Sequence, residues 1–350
     1  MKILKIAKSD LDLFTAVLPA FGDVYAPVRR GSGYAFERPK LWSQVSLSYP
    51  RTILPPKKFL LPPAEATFAF DERNGFRDLL AGAAKPVVLV GVHAYDIFGM
   101  NILEKVFAEG KYVDPYFTAR RRALTVIGVD FEPDELHFAL SMNAAFVDSG
   151  FDLFLSDIGE DFLVFVGSSR GDDIVLQTGC LLREPDASDF AEYKRRSRER
   201  TAAYRTSIDL GELPEILEIE YRSAVWEELG KKCLSCGACS MVCPTCYCFD
   251  VKDEVGLGDR SGTRSRSWDS CLFETHALVA GGENFRKERS SRIKNRYYHK
   301  QRGFVAEHGR PSCVGCGRCI AACPAKIDIV TVIDKLRGET DGSDREHASA

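Results

Sequence analysis

Along the first 225 residues, continuous apolar runs alternate with stretches of helical period. Lys85–Val92 (KPVVLVGV) is a run of the length expected for a strand covered on both faces. In residues 97–107 (IFGMNILEKVF) the apolar positions recur at helical spacing, and Asp96 stands where an N-cap would. Ala123–Asp130 (ALTVIGVD) repeats the buried-strand pattern. Strand, helix and strand in this order predict a βαβ unit. Residues 162–167 (FLVFVG) and 173–181 (DIVLQTGCL) predict a further strand pair. The expectation for residues 1–225 is an α/β domain that serves structure or partner docking.

Other segments read differently. Residues 53–66 (ILPPKKFLLPPAEA) carry four prolines and predict an extended loop lying on the surface. Residues 188–206 predict a charged helix with a solvated face. The polar end of the chain, residues 336–350, predicts a disordered tail. No run approaches the roughly 18 to 20 apolar residues that span a bilayer, which predicts no direct membrane insertion. Asp10 and Asp12 interrupt the apolar start of the chain, and no cleavage site follows, so a signal peptide is not expected. The chain is therefore expected in the reducing cytoplasm, where close cysteine spacings indicate metal sites rather than disulfides.

Composition changes this picture at one point. Of 350 residues, 45% are hydrophobic and 28% charged, which is ordinary, and the formal net charge of −3 argues against nucleic-acid binding. Cysteine stands out: there are 12, all but Cys180 between Cys233 and Cys323.

Cys233-x2-Cys236-x2-Cys239-x3-Cys243-Pro244 and Cys313-x2-Cys316-x2-Cys319-x3-Cys323-Pro324 both have the spacing of bacterial ferredoxins. Three closely spaced thiolates can reach three corners of one cubane, with Gly237 and Gly317 at the sharp bend. The fourth cysteine is expected to open a helical turn, with the proline at its first position, and to serve the other cluster. This crossed arrangement assigns Cys233, Cys236, Cys239 and Cys323 to one [4Fe–4S] cluster, and Cys313, Cys316, Cys319 and Cys243 to a second. Structural zinc usually takes its ligands as two separated pairs, which fits these runs poorly.

Residues 244–310 form a long insertion between the motif halves. It holds Cys246, Cys248 and Cys271, which could meet beside the clusters and hold a third, with Cys180 or Asp269 as fourth ligand; the alternative is buried free thiols. Cys180, on an apolar strand pattern, fits the latter. Within 17 residues the insertion also carries Arg286, Lys287, Arg289, Arg292, Lys294, Arg296, Lys300 and Arg302, opposed there only by Glu288. Such cations would offset cluster charge and steer docking. The histidines at 93, 137, 276, 299, 308 and 347 form no acid–base pair, no residue is assigned a catalytic role, and no Gly-x-Gly-x-x-Gly fingerprint is present.

The segments CLSCGACSMVCPTCYCFD (233–250), RSRSWDSC (264–271), the basic run ending in His299-Lys300, and CVGCGRCIAACPAKID (313–328) resemble the beta subunit of cytoplasmic sulfhydrogenases. They are also similar to the A subunit of anaerobic sulfite reductase. In the first half, Gly91–Asp96 (GVHAYD) and Arg121–Gly128 are similar to family segments, although relatives often carry a cysteine near the position of Tyr95. The resemblance implies an electron relay between a flavin-containing, NAD(P)H-linked subunit and a catalytic hydrogenase or reductase subunit. FAD and a [2Fe–2S] centre are then expected on that partner and not on this chain. The expected architecture is an α/β domain (1–225) followed by an α+β bacterial-ferredoxin-like dicluster domain (226–335). Two other functions remain open: a reductase in its own right with a site-differentiated third cluster, and a zinc-stabilised binding module.

Overall fold

A computed structural model describes residues 1–82, 84–258 and 261–338. Its strands are β1 (Lys2–Ala7), β2 (Asp23–Arg30), β3 (Gly33–Glu37), β4 (Ala64–Asp71), β5 (Gly75–Asp78), β6 (Val87–His93), β7 (Leu124–Val129), β8 (Leu153–Asp157), β9 (Asp161–Val166), β10 (Phe249–Val255) and β11 (Gly262–Trp268). A mixed seven-stranded sheet runs β1-β9-β8-β7-β6-β2-β3, with β2, β6, β7 and β8 parallel and the outer pairs antiparallel. The apolar runs of β6 and β7 occupy its centre, as expected of strands covered on both faces.

The helix Ala94–Phe107 follows β6 directly and begins earlier than its periodicity indicated. Asp96 is not its N-cap. The carboxylate is drawn into an ion pair with Arg318, so Asp96 lies buried in the first turn. The helix Pro115–Ala123 then leads into β7, completing the βαβ unit with β6 and β7 in parallel register.

The predicted strand over 173–181 is instead the helix Ser169–Thr178 followed by a short turn. Ser168 accepts from Gly171 N–H and starts it, while Ile174, Val175 and Thr178 form its buried face. The partner of β9 in the hairpin is β8. The charged helix spans Ala187–Ala202. Arg195 and Arg196 pair with Glu192 at its surface, but Arg200 turns inward to Asp130 at 2.8 Å.

The proline-rich segment is not a surface loop. Pro55, Pro56, Lys57, Leu60 and Leu61 are buried, and Pro56–Phe59 forms a 3-10 turn. The reason is a second, four-stranded sheet in the order β10-β11-β4-β5. β11 of the insertion pairs with β4, directly after the proline segment, so the insertion is stitched onto the first half of the chain. One core also joins Tyr95, Phe131 and Phe138 to Leu272, Ile293, Cys316 and Ile320. Of the expected tail, Leu336 and Arg337 end the helix Ile329–Arg337, with Leu336 buried, and residues 339–350 lie outside the described residues.

Candidate metal centre

The two ferredoxin-like motifs fold alike. Ser235 and Gly315 take left-handed backbone conformations, as do Gly237 (φ 71°) and Gly317 (φ 70°). Each of these last glycines starts a one-turn helix, Ala238–Met241 or Arg318–Ala321, that contains the third cysteine. A Cβ at Gly317 would stand 2.5 Å from the carbonyl oxygen of Leu136, so glycine is needed there for space as well as for torsion. The turn ends before Cys243 and Cys323 rather than starting at them, and Pro244 and Pro324 lie in the turns that follow. The left-handed glycine, two residues before the third cysteine, sets the helix start.

These loops bring the cysteines together across the motifs. Cys233, Cys236 and Cys239 line one cavity with Cys323 of the other motif, and Cys319 reaches its wall. Cys243 stands close enough to Cys313, Cys316 and Cys319 for its charge to raise the thiol pKa of each, on top of a larger effect of burial. Among the described residues, no three His, Cys, Asp or Glu side chains converge as one bound ion would require. The thiols are spread instead over cavity walls.

The basic run supplies the electrostatics. The helix Arg289–Tyr297 buries Arg292, Ile293, Arg296 and Tyr297, and the wide turn Tyr298–Gly303 continues that face to Lys300. Arg292, Arg296 and Lys300 are four residues apart and so share one side of the helix. Arg296 Nη1 lies 3.4 Å from Cys246 Sγ, and Nη2 donates to the Cys239 carbonyl oxygen at 3.3 Å. Lys300 Nζ donates to Thr245 Oγ1 at 2.7 Å. Among the described residues neither cation has a carboxylate partner. Burial alone would push the Lys300 ammonium down, but the thiolates of Cys243, Cys246 and Cys313 more than offset it and its pKa rises. Arg296 behaves in the same way, with Cys239, Cys246, Cys319 and Cys243 around it.

A buried unpaired cation is costly. Two of them facing thiols from both motifs fit an anionic group between those thiols. A cubane held by four thiolates is such a group, and the donor set is the one it uses. Two further cations of the run play surface roles: Arg302 pairs with Glu218, and Lys294 lies 3.8 Å over the Tyr221 ring.

Cys246, Cys248 and Cys271 line a separate, smaller cavity. Cys180 does not join them. It is exposed in the turn after Ser169–Thr178, not a buried thiol on a strand, because that segment is helical and turns it outward. Asp269 is engaged by His276.

Three supporting residues carried no signal in the sequence. Arg318, inside the second motif, is clamped by Asp96 and Thr52. Arg51 Nε donates to the Cys316 carbonyl oxygen at 3.2 Å. Lys57 Nζ donates to the Cys246 carbonyl oxygen at 2.8 Å and lies 4.1 Å over the Trp268 ring.

Comparison with known proteins gives the family of these motifs. Residues 232–327 match the family described as 4Fe-4S dicluster domain. Over 337 residues the chain is 39% identical to sulfhydrogenase 2 subunit beta of Pyrococcus furiosus, covering 96% of this chain and 99% of that protein.

Proposed function

This chain belongs to the sulfhydrogenase beta-subunit family and ends in a 4Fe-4S dicluster domain, and from that premise we propose that it is the electron-relay subunit of a multi-subunit oxidoreductase. In this reading Cys233, Cys236, Cys239 and Cys323 hold one [4Fe–4S] cluster, and Cys313, Cys316, Cys319 and Cys243 the other. The observation that carries it is the pair of buried cations, Arg296 and Lys300, set between thiols of both motifs with no carboxylate partner among the described residues. The clusters supply reversible one-electron transfer. The chain's own residues hold them, exclude water from the second and balance their charge.

The two sites differ in access. Cys236 is exposed beside the exposed Leu234, whereas Cys316 is buried behind Arg51 and Arg318. The cluster on the first motif is therefore the one that meets a partner, and the second lies inward. The partners proposed are a flavin-containing, NAD(P)H-linked subunit carrying FAD and [2Fe–2S], and a catalytic subunit. Since the relative is named a sulfhydrogenase subunit, a hydrogenase is preferred over a sulfite or disulfide reductase. The setting proposed is the cytoplasm.

The test is iron, zinc and acid-labile sulfide per anaerobically purified chain, with EPR after reduction. At least about eight irons with matching sulfide are expected. Stoichiometric zinc without sulfide would overturn the cluster reading. Turnover of hydrogen, sulfite or disulfides by the isolated chain with reduced viologen would overturn the relay reading.

A further inference from the structure

The smaller cavity has the features of a third redox site. Cys246 and Cys248 enter it from the turn after the first motif, and Cys271 from the loop after β11. The Asp269 backbone N–H donates to the Cys248 carbonyl oxygen at 3.0 Å, and the Cys271 N–H donates to the Cys248 sulfur. These bonds bind the two cysteine segments to each other. His299 lines the same cavity from the wide turn Tyr298–Gly303, a π-type turn of the kind often found at functional sites. Its Nε2 is 2.7 Å from the Tyr247 hydroxyl, which leaves Nδ1 to bind. A ligating histidine usually has its other nitrogen held in this way.

A second observation points to an anionic occupant. Lys57, Arg296 and Lys300 are all buried around these cysteines, and among the described residues none has a carboxylate partner. Arg296 and Lys300 also face thiols of the two motifs, whereas Lys57 comes from outside the ferredoxin motifs and donates to the Cys246 carbonyl oxygen. The Cys246 thiol is in hydrogen-bond contact with that of Cys243, which the relay reading assigns to the inner cluster. Zinc is a poorer fit, because Cys246-x-Cys248 is tighter than the two- to four-residue gap of zinc ligand pairs.

We propose that Cys246, Cys248 and Cys271, with His299 as fourth donor, hold a third iron–sulfur cubane, joined to the inner cluster through the Cys243–Cys246 contact. The inference rests on the relay reading. It makes the wire branch or extend toward the β10–β11 side of the chain. With His299 on the fourth iron the site is closed, as suits electron transfer rather than substrate binding.

The test uses the full chain, purified and reconstituted anaerobically. The unaltered protein should hold about twelve irons with matching sulfide, and spin counting after full reduction should approach three per chain. Cys248→Ser and Cys271→Ser should each remove about four irons while the two dicluster signals persist. His299→Ala should lose about one iron and show a [3Fe–4S] signal on oxidation. About eight irons in the unaltered protein with a spin count near two, unchanged in both serine variants, would overturn the proposal and leave the relay reading intact. So would about eight irons plus one zinc lost in Cys271→Ser. A full complement retained in His299→Ala would overturn the assignment of that ligand. Fewer than about eight irons would instead count against the relay reading itself.

Discussion

Arg318 and Asp96 meet as a two-pronged ion pair, Nη1 to Oδ1 at 2.6 Å and Nη2 to Oδ2 at 2.7 Å, with both side chains sealed from solvent. Arg318 sits between Cys316 and Cys319, and Asp96 on the first turn of the helix after β6, so the pair fastens the second cysteine motif to the central sheet. Thr52 takes two further donors, its carbonyl oxygen accepting from Nε at 2.8 Å and its hydroxyl from Nη2 at 3.0 Å. Removing one member leaves the other charge buried alone. Asp96→Ala should therefore cost about 3–5 kcal/mol, measured by anaerobic chemical denaturation. The double variant Asp96→Leu, Arg318→Leu should cost less than the single one, and equal or additive losses would argue against the pair acting as a unit.

Asp130 and Arg200 form a second buried pair, far from the cysteines in the sequence. Burial pushes the Asp130 carboxyl from 3.8 up to about 6, with Arg200 and Ser156 holding it back. The folded state thus binds this proton more tightly than the unfolded state. Its stabilising contribution is complete below about pH 3.8 and disappears as pH rises through about 6. Between those limits the stability of the native protein relative to Asp130→Asn should fall by up to about 3 kcal/mol. Thermal unfolding of both across pH 4 to 7 measures this, and a constant difference would contradict it.

What could be read in advance depended on the range of the interaction. The eight motif cysteines are legible because cubane geometry demands short, fixed spacings, and the strands β6 and β7 because a doubly covered strand is apolar throughout. The segment 173–181 misled because a short apolar run does not distinguish strand from helix. The local signal that resolves it is Ser168, which caps the helix. The proline segment misled for a different reason. Lys57 is buried by contacts with Cys246 and Trp268, about 190 and 210 residues away, which no local pattern encodes. Asp96 reads as an N-cap locally, and only the folded chain brings Arg318 to it across a separation of 222 residues. The basic run was legible in charge but not in direction: spacing puts Arg292, Arg296 and Lys300 on one face, and packing shows that this face points inward.

That inward face should set redox potential. Lys300 stands near Cys243, Cys246 and Cys313, so its charge favours the reduced, more negative state of a group bound there. Lys300→Met removes the charge at similar volume. At an effective dielectric of about 20 and a separation of about 7 Å, the lost attraction is near 2.4 kcal/mol, on the order of 100 mV. The potential of the inner cluster should fall by tens of millivolts up to that figure, as followed by EPR during redox titration. Arg302→Gln, at the surface, should move it far less. Equal shifts in both variants would mean that only the overall charge matters.

The crossing of ligands between motifs makes a sharper demand. Cys323 lines the cavity of Cys233, Cys236 and Cys239, although it lies in the second motif, while Cys243 faces Cys313, Cys316 and Cys319. Cys236→Ser and Cys323→Ser should therefore perturb one and the same EPR signal, and Cys316→Ser and Cys243→Ser the other, each with a loss of up to about four irons. If each motif instead served its own cluster, Cys236 would group with Cys243 and Cys316 with Cys323. The two groupings share no pair, so the four single variants decide between them. Solvent access provides an internal check, since Cys236 is exposed and Cys316 buried. The signal lost in Cys236→Ser and Cys323→Ser should be the one that decays first when the reduced protein meets a small oxidant such as ferricyanide. If the Cys316 signal decays first, the outer and inner assignments must be exchanged, and with them the face at which a partner docks.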